Sequence, residues 1–271
     1  MESTKPQLAL IGGGKMGRAL VQGMIDAGFT TADRVTVGDR NTDSQAWWKQ
    51  NVPQAKVTAD SKTAVEAADV ILLAIKPHGV PAVVAELKRT ARKSLLISVA
   101  AGIQLGTLVR QFGSSRVVRV MPNTPSLVGA GASAYCCGDD VSSEDAAYVD
   151  GMLSSVGKAF RVEDKLMDAV TGVSGSGPAY VCMIIEALAD GGVLSGLPRE
   201  LAMQLATQTV LGTATLIQQT GSHPAVLKDA VASPGGTTIA GIAALERGAL
   251  RNTLISAVQA AALRGEELGK G

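Results

Sequence analysis

Near the C-terminal end of this chain, Ser233-Pro234-Gly235-Gly236-Thr237-Thr238 lies between two helix-like segments, 225–231 and 239–246. Two glycines and two threonines at the opening of a helix make a compact anion cradle. The N–H groups of a first helical turn have no partner inside the helix and point outward. Gly235 and Gly236 let a ligand approach that backbone without a Cβ in the way. A small carboxylate matches such a site, and the hydroxyls of Ser233, Thr237 and Thr238 add donors. An ordinary N-capped helix start is the commoner meaning of Ser or Thr before an apolar run. The cradle therefore needs support from elsewhere in the chain.

That support is at the other end. Gln7-Leu8-Ala9-Leu10-Ile11 is a short apolar run suited to a buried parallel strand. It leads directly into Gly12-Gly13-Gly14-Lys15-Met16-Gly17, which satisfies G-x-G-x-x-G at Gly12, Gly14 and Gly17. A helical pattern follows through Ala19, Leu20, Met24 and Ile25 and ends at Gly28. Between a strand and a helix this motif is a dinucleotide fingerprint, because the pyrophosphate meets the helix N-terminus. A second strand, 34–37, delivers Asp39 and Arg40, where folds of this kind read the adenosine ribose. An acidic residue there favours NAD and an arginine favours NADP. This chain offers both, and the two side chains are equally able to pair with each other or face solvent.

Further strands are expected at 70–75, 95–100, 117–120, 132–137 and 158–162, with helices between several of them, such as 63–68 and 80–89. That alternation predicts a mostly parallel sheet with helices on both faces. Ligands bind beyond the carboxyl ends of such strands. Ala74-Ile75-Lys76-Pro77, Ala100-Ala101-Gly102 and Met121-Pro122-Asn123 all leave strand ends toward one crevice, and all are candidate cofactor contacts. His78, next to Pro77, reads as a loop histidine, since the sequence places no carboxylate or second histidine to work with it.

Composition narrows the function. Only 3% of the chain is aromatic, which argues against base-stacking platforms. The net charge of +1 gives no basic footprint for nucleic acid or an anionic membrane. No apolar stretch reads as long and clean enough to span a bilayer, and residues 1–6 lack the apolar core of a signal peptide. Cys136, Cys137 and Cys182 form neither a disulfide framework nor a metal spacing. They read as three buried small hydrophobes in a cytoplasmic protein, with the adjacent pair on opposite faces of a strand.

After about residue 162 strand signals stop. Helical patterns run over 179–194, 199–219, 225–231 and about 252–268, with Pro198 at a helix start. The expected organisation is a Rossmann-like α/β domain over 1–163 followed by an all-α domain over 164–271. About a hundred residues of long helices bury a core poorly alone, so a core shared with a second copy is expected.

On these residues the chain resembles the pyrroline-5-carboxylate reductase family along essentially its whole length. The resemblance rests on Ala74 to His78, Met121 to Pro125, Ser174-Gly175-Ser176-Gly177-Pro178-Ala179-Tyr180, Ala187 to Val193, Gly196-Leu197-Pro198-Arg199, Leu227-Lys228-Asp229 and Ser233 to Thr238. It implies reduction of 1-pyrroline-5-carboxylate to L-proline, with NADPH or NADH as hydride donor. It also implies an intertwined dimer, built in some relatives into a decamer of five dimers, with each active site completed by the partner's helical domain. Thr238 is implied as the hydrogen-bond donor to the imine nitrogen. Ser176 and Asp164 are implied to shape the pocket, or equally to cap helices. Two other readings stand beside this one: a related 3-hydroxyacid or imine reductase, and a non-catalytic dinucleotide-binding protein.

Overall fold

The computed structural model describes residues 5–88, 90–91 and 93–270. Residues 1–4, Arg89, Arg92 and Gly271 lie outside the described residues, including the last position of the helix expected over 80–89. The chain divides into two compact units, residues 1–176 with 260–271, and residues 177–259.

The first unit is built on an eight-stranded sheet. Its strands are β1 (Leu8–Ile11), β2 (Val35–Gly38), β3 (Lys56–Thr58), β4 (Val70–Leu73), β5 (Leu95–Ser98), β6 (Val117–Met121), β7 (Gly131–Cys137) and β8 (Gly157–Arg161). They lie in the order β3-β2-β1-β4-β5-β6-β7-β8. All neighbours are parallel except β6 and β7, where Val120 pairs with Tyr135. The connection from β6 to β7 contains no α-helix, and a short link of this kind returns the chain antiparallel. The order reverses at β1, with β2 on one side and β4 on the other, which creates the crevice beyond the strand ends.

The helices of this unit are α1 (Lys15–Asp26), α2 (Thr42–Asn51), α3 (Ser61–Val65), α4 (Val80–Leu87), α5 (Leu105–Phe112), α6 (Ser143–Ser154) and α7 (Met167–Val170). Strand alternation sorts the core into two layers. Leu8 and Leu10 face one side with Leu20, Met24, Trp48 and Met152. Ala9 and Ile11 face the other with Val65, Val84, Leu108 and Phe112.

Several boundaries differ from expectation for local reasons. The helix expected from 63 begins at Ser61, because the Asp60 carboxylate caps it by accepting from the Lys62 and Thr63 N–H groups. The strands expected to reach Ile75 and Ala100 stop at Leu73 and Ser98. β3 has three residues and α2 is mostly polar, burying only Ser44 and Trp48, so neither has a strong sequence pattern. α6 does: Ser142 and Asp145 form a capping box, and Arg116 holds Asp145 with a two-pronged ion pair.

Two expectations are corrected. Cys136 is buried and Cys137 half-buried, facing opposite layers, but Cys182 is exposed in the chain on its own. The helical run Asp164–Leu194 is, by length and composition alone, long and apolar enough to cross a membrane.

The second unit contains α8 (Gly177–Leu194), α9 (Arg199–Thr220), α10 (Pro224–Ala230), α11 (Thr237–Arg247) and the first part of α12 (Leu250–Lys270). α8 and α9 pack through small residues, with Gly192 against Ala202. The buried cluster there is Ala189, Ala202 and Ala206, while Leu194, Leu211 and Ile255 stand exposed, Leu194 at 91%.

Candidate active site

The glycine loop has the geometry its sequence requires. Gly12 sits at φ +95°, and a Cβ there would lie 2.6 Å from the Ala74 carbonyl oxygen. A Cβ on Gly17 would lie 2.5 Å from the Gly12 carbonyl oxygen and 3.0 Å from Leu10, so only glycine lets α1 pack this close to β1. Gly14 is the opposite case: apart from its neighbours along the chain, nothing lies within 4 Å of its missing side chain. Gly14 is also the N-cap of α1 and supplies no side-chain cap. Exposed Gly14 and Lys15 therefore open a twelve-residue helix whose first N–H groups face an empty approach. These residues fit a dinucleotide pyrophosphate, by close backbone approach and by the partial positive charge of the helix start.

Asp39 and Arg40 follow β2 and do not pair with each other. The Asp39 carboxylate accepts from the Gly13 N–H at 2.8 Å and from the Asn41 N–H at 2.9 Å. Arg40 is largely exposed and meets Glu86 of α4 at 3.3 Å. A surface pair of this kind contributes at most about 1 kcal/mol, so Arg40 is free to change partners.

Ala74, Ile75, Lys76 and Pro77 follow β4, and Lys76 and Pro77 are exposed, as is His78. Ala100 to Gly102 follow β5, with Gly102 at φ +76°. Met121 ends β6, and the buried residues Pro122 and Asn123 follow. Asn123 ties three segments together: its amide nitrogen donates to the Ser174 carbonyl at 3.1 Å, and its oxygen accepts from the Ala132 N–H at 2.9 Å. The Ser174 segment is a π-helical turn, Thr171–Gly175, closed at Ser176, whose N–H bonds the Thr171 carbonyl.

Asp164 has a structural partner that the sequence did not reveal. The buried Arg119 guanidinium reaches Asp164 at 2.7 Å and Asp168 at 3.4 Å. The Cys136 thiol also contacts Asp164 at 3.4 Å. Burial, together with that carboxylate, pushes the thiol pKa up to about 12, so Cys136 is not a thiolate at neutral pH. Arg119 carried no sequence signal, since an arginine within an apolar strand shows its partners only in three dimensions.

The cradle lies within the second unit. Gly235 is at φ +68° with open space around it, and the Gly236 N–H bonds the Ser233 carbonyl at 3.0 Å to close the turn. Gly236 caps α11 with extended backbone and no side-chain hydrogen bond. The ordinary side-chain-capped start is therefore absent, although Ser233 packs against the turn, its Oγ crowding the place where a Cβ on Gly236 would stand. Among the described residues, no cluster of metal-ligating side chains occurs.

A doubly wound sheet, an open glycine loop at its switch point and a helical module define a two-part dinucleotide-binding protein of the oxidoreductase class. Residues 7–102 match the family model for F420-dependent NADP oxidoreductase, and residues 164–268 match that for pyrroline-5-carboxylate reductase dimerisation. Pyrroline-5-carboxylate reductase of a Synechocystis species is 46% identical over 97% of this chain and 98% of its own length. That of Methanosarcina acetivorans is 43% identical over the full length of both. Among solved structures, the Coxiella burnetii pyrroline-5-carboxylate reductase matches 99% of this chain and 100% of its own at 35% identity and a TM-score of 0.92. The Plasmodium falciparum enzyme, solved with NADP bound, matches 97% and 98% at 34% identity and a TM-score of 0.88. This chain belongs to the pyrroline-5-carboxylate reductase family. An imine reductase from Myxococcus stipitatus, 19% identical, shares the fold alone. The membrane-length run Asp164–Leu194 lies wholly within the residues, 164–268, that match the dimerisation model.

The two loop glycines should fail differently. Gly17→Ala should destabilise the protein by about 1–3 kcal/mol, because the methyl forces α1 off β1. Gly14→Ala should leave stability within about 1 kcal/mol yet weaken NADPH binding, because its methyl enters the open approach. Urea unfolding with NADPH titration checks both; equal stability losses would show that Gly14 is a packing glycine too.

Proposed function

We propose that this protein reduces 1-pyrroline-5-carboxylate to L-proline, with NADPH as preferred donor and NADH as a second. The observation that carries the reading is the α11 start, a glycine-lined helix opening with no side-chain cap. The substrate carboxylate would bind the N–H groups of Gly235 and Thr237; the Gly236 N–H, expected as a third donor, is taken by the Ser233 carbonyl and instead holds the turn in shape. The reduced nicotinamide supplies a hydride to the imine carbon. Residues 100–102 and 121–123 form the surface on which the nicotinamide end rests, Gly12, Gly14, Lys15, Met16 and Gly17 the surface for the pyrophosphate. Ala74 to Pro77 line the approach.

The protonated imine is already electrophilic, so the protein needs no strong general acid. As hydride adds to the imine carbon the C=N π pair becomes a lone pair on the ring nitrogen, which keeps its own proton, and the Thr238 hydroxyl donates a hydrogen bond to that developing lone pair. Ser176 borders the pocket. Asp164, held by Arg119, acts on that pocket by fixing the Asp164–Leu166 turn. In this reading residues 1–163 hold the cofactor and 164–271 hold substrate and the dimer interface. Three free thiols suit a reducing, cytoplasmic setting.

Loss of NADPH absorbance on adding pyrroline-5-carboxylate tests the reaction. A well-placed hydrogen bond to a reacting group is worth about 10²–10³ in rate. Thr238→Ala should lower kcat by that much with NADPH affinity unchanged, and Thr238→Ser should keep most activity. Near-normal turnover by Thr238→Ala would reduce Thr238 to a helix residue. In the same assay Arg40→Ala should raise KM for NADPH far more than for NADH, because its guanidinium suits the 2′-phosphate. Equal effects on both would remove Arg40 from cofactor choice.

The helical domain is proposed to form a homodimer, with five dimers in a decamer. Its support is the alanine-only buried cluster beside exposed Leu188, Leu194, Leu205 and Leu211. Each site would then take its cradle from the partner's helical domain. Sedimentation at sub-micromolar concentration should find no active monomer; a stable, active monomer would overturn the assembly.

A further inference from the structure

The middle glycine of the loop is held by more side chains than any packing need explains. The Gly13 carbonyl oxygen accepts from Ser44 Oγ at 2.9 Å, Trp48 Nε1 at 3.0 Å and Arg18 Nε at 3.0 Å. A carbonyl oxygen has two lone pairs, so three donors at this range hold it tightly in direction. On the other side of the residue, the Gly13 N–H donates to Asp39 at 2.8 Å.

Two of the donors, Ser44 and Trp48, come from α2, and Arg18 comes from α1. Asn41 caps α2 by accepting from the Ser44 N–H at 2.8 Å. Trp48 lies four residues after Ser44, on the same face. Both are buried, Trp48 completely and Ser44 to 6% exposure, so water does not replace them. Arg18 is itself braced, with its guanidinium 4.2 Å above the Trp47 ring.

The oxygen so gripped belongs to the peptide joining Gly13 to Gly14. No cis peptide bond occurs among the described residues, and in a trans peptide the N–H points away from the C=O. The Gly14 N–H is therefore aimed away from the three donors. Among the described residues it donates to nothing, and no residue beyond its neighbours along the chain comes within 4 Å of the place a Gly14 side chain would take. Donors on the oxygen also polarise the amide, which makes its N–H a stronger donor.

We propose that Ser44, Trp48 and Arg18 are positioning residues for the cofactor, gripping the Gly13 carbonyl so that the Gly14 N–H is directed at the dinucleotide pyrophosphate. This rests on the dinucleotide reading of the glycine loop given above. It assigns α2 a role in cofactor affinity that acts through the Gly13 carbonyl.

Ser44→Ala and Trp48→Phe each remove one donor and keep most of the volume. Titrations with NADPH and with ADP, both carrying the pyrophosphate, read the result. Each variant should bind both ligands roughly threefold more weakly, and the double variant about tenfold more weakly. KM for pyrroline-5-carboxylate should stay within about twofold, and Ser44→Thr, which keeps the hydroxyl, should bind like the unaltered protein. If Trp48→Phe does not fold, the Ser44→Ala and Ser44→Thr pair carries the comparison. Unchanged NADPH and ADP affinity in Ser44→Ala, or equal weakening by Ser44→Thr, would overturn the proposal. An unaltered protein that binds neither ligand would instead overturn the dinucleotide reading beneath it.

Discussion

The close crossing of β1, the glycine loop and α1 is the constraint on which the rest of this structure depends. The chain leaves β1 and passes under the end of β4, where a Cβ at Gly12 would strike the Ala74 carbonyl. It then turns so tightly that a Cβ at Gly17 would strike the Gly12 carbonyl. Only this path lets Leu20 and Met24 of α1 bury against Leu8 and Leu10. The same path leaves the first N–H groups of α1 without partners at the strand-end crevice. The packing and the open helix start are thus two consequences of one backbone geometry, and Ser44 and Trp48 of α2 bond to that loop at the Gly13 carbonyl.

The return of the helical run to the sheet depends on a charge rather than on apolar contact. Arg119 lies in β6 among apolar neighbours and is 5% exposed. An unpaired guanidinium there would be very costly, and Asp164 and Asp168 remove that cost by pairing with it. Asn123 adds a neutral tie between the end of β6 and the Thr171–Gly175 turn. A π-helical turn leaves backbone groups out of ordinary register, and here the side chain of Asn123 takes up the Ser174 carbonyl. These ties set where the run from Asp164 begins relative to the sheet of the first unit.

The helical unit works by a different economy. Its helices approach through glycine and alanine, which buries little area per residue. Large aliphatic side chains are left on the outside, including Leu194, Leu211 and Ile255. Such a surface is unfavourable in water and fits a domain completed by another copy. The family match to a dimerisation module over residues 164–268 agrees with that distribution.

Much of this was legible in the residues. Apolar runs ending in glycine or proline located the main strands, because a buried parallel strand must be apolar on both faces. The glycine spacing located the tight turn between β1 and α1, and the Pro-Gly-Gly-Thr-Thr run located a helix opening without a large side chain. Weakly patterned elements were not legible in the same way. β3 is three residues at a sheet edge, and α2 buries only two side chains. The partners of Arg119 and the grip on Gly13 were decided by tertiary structure alone. Asp164 lies 45 residues from Arg119, and Trp48 lies 35 from Gly13. Local pattern reports which face of an element is buried; it does not report which buried polar group meets which, because that depends on how distant elements are brought together.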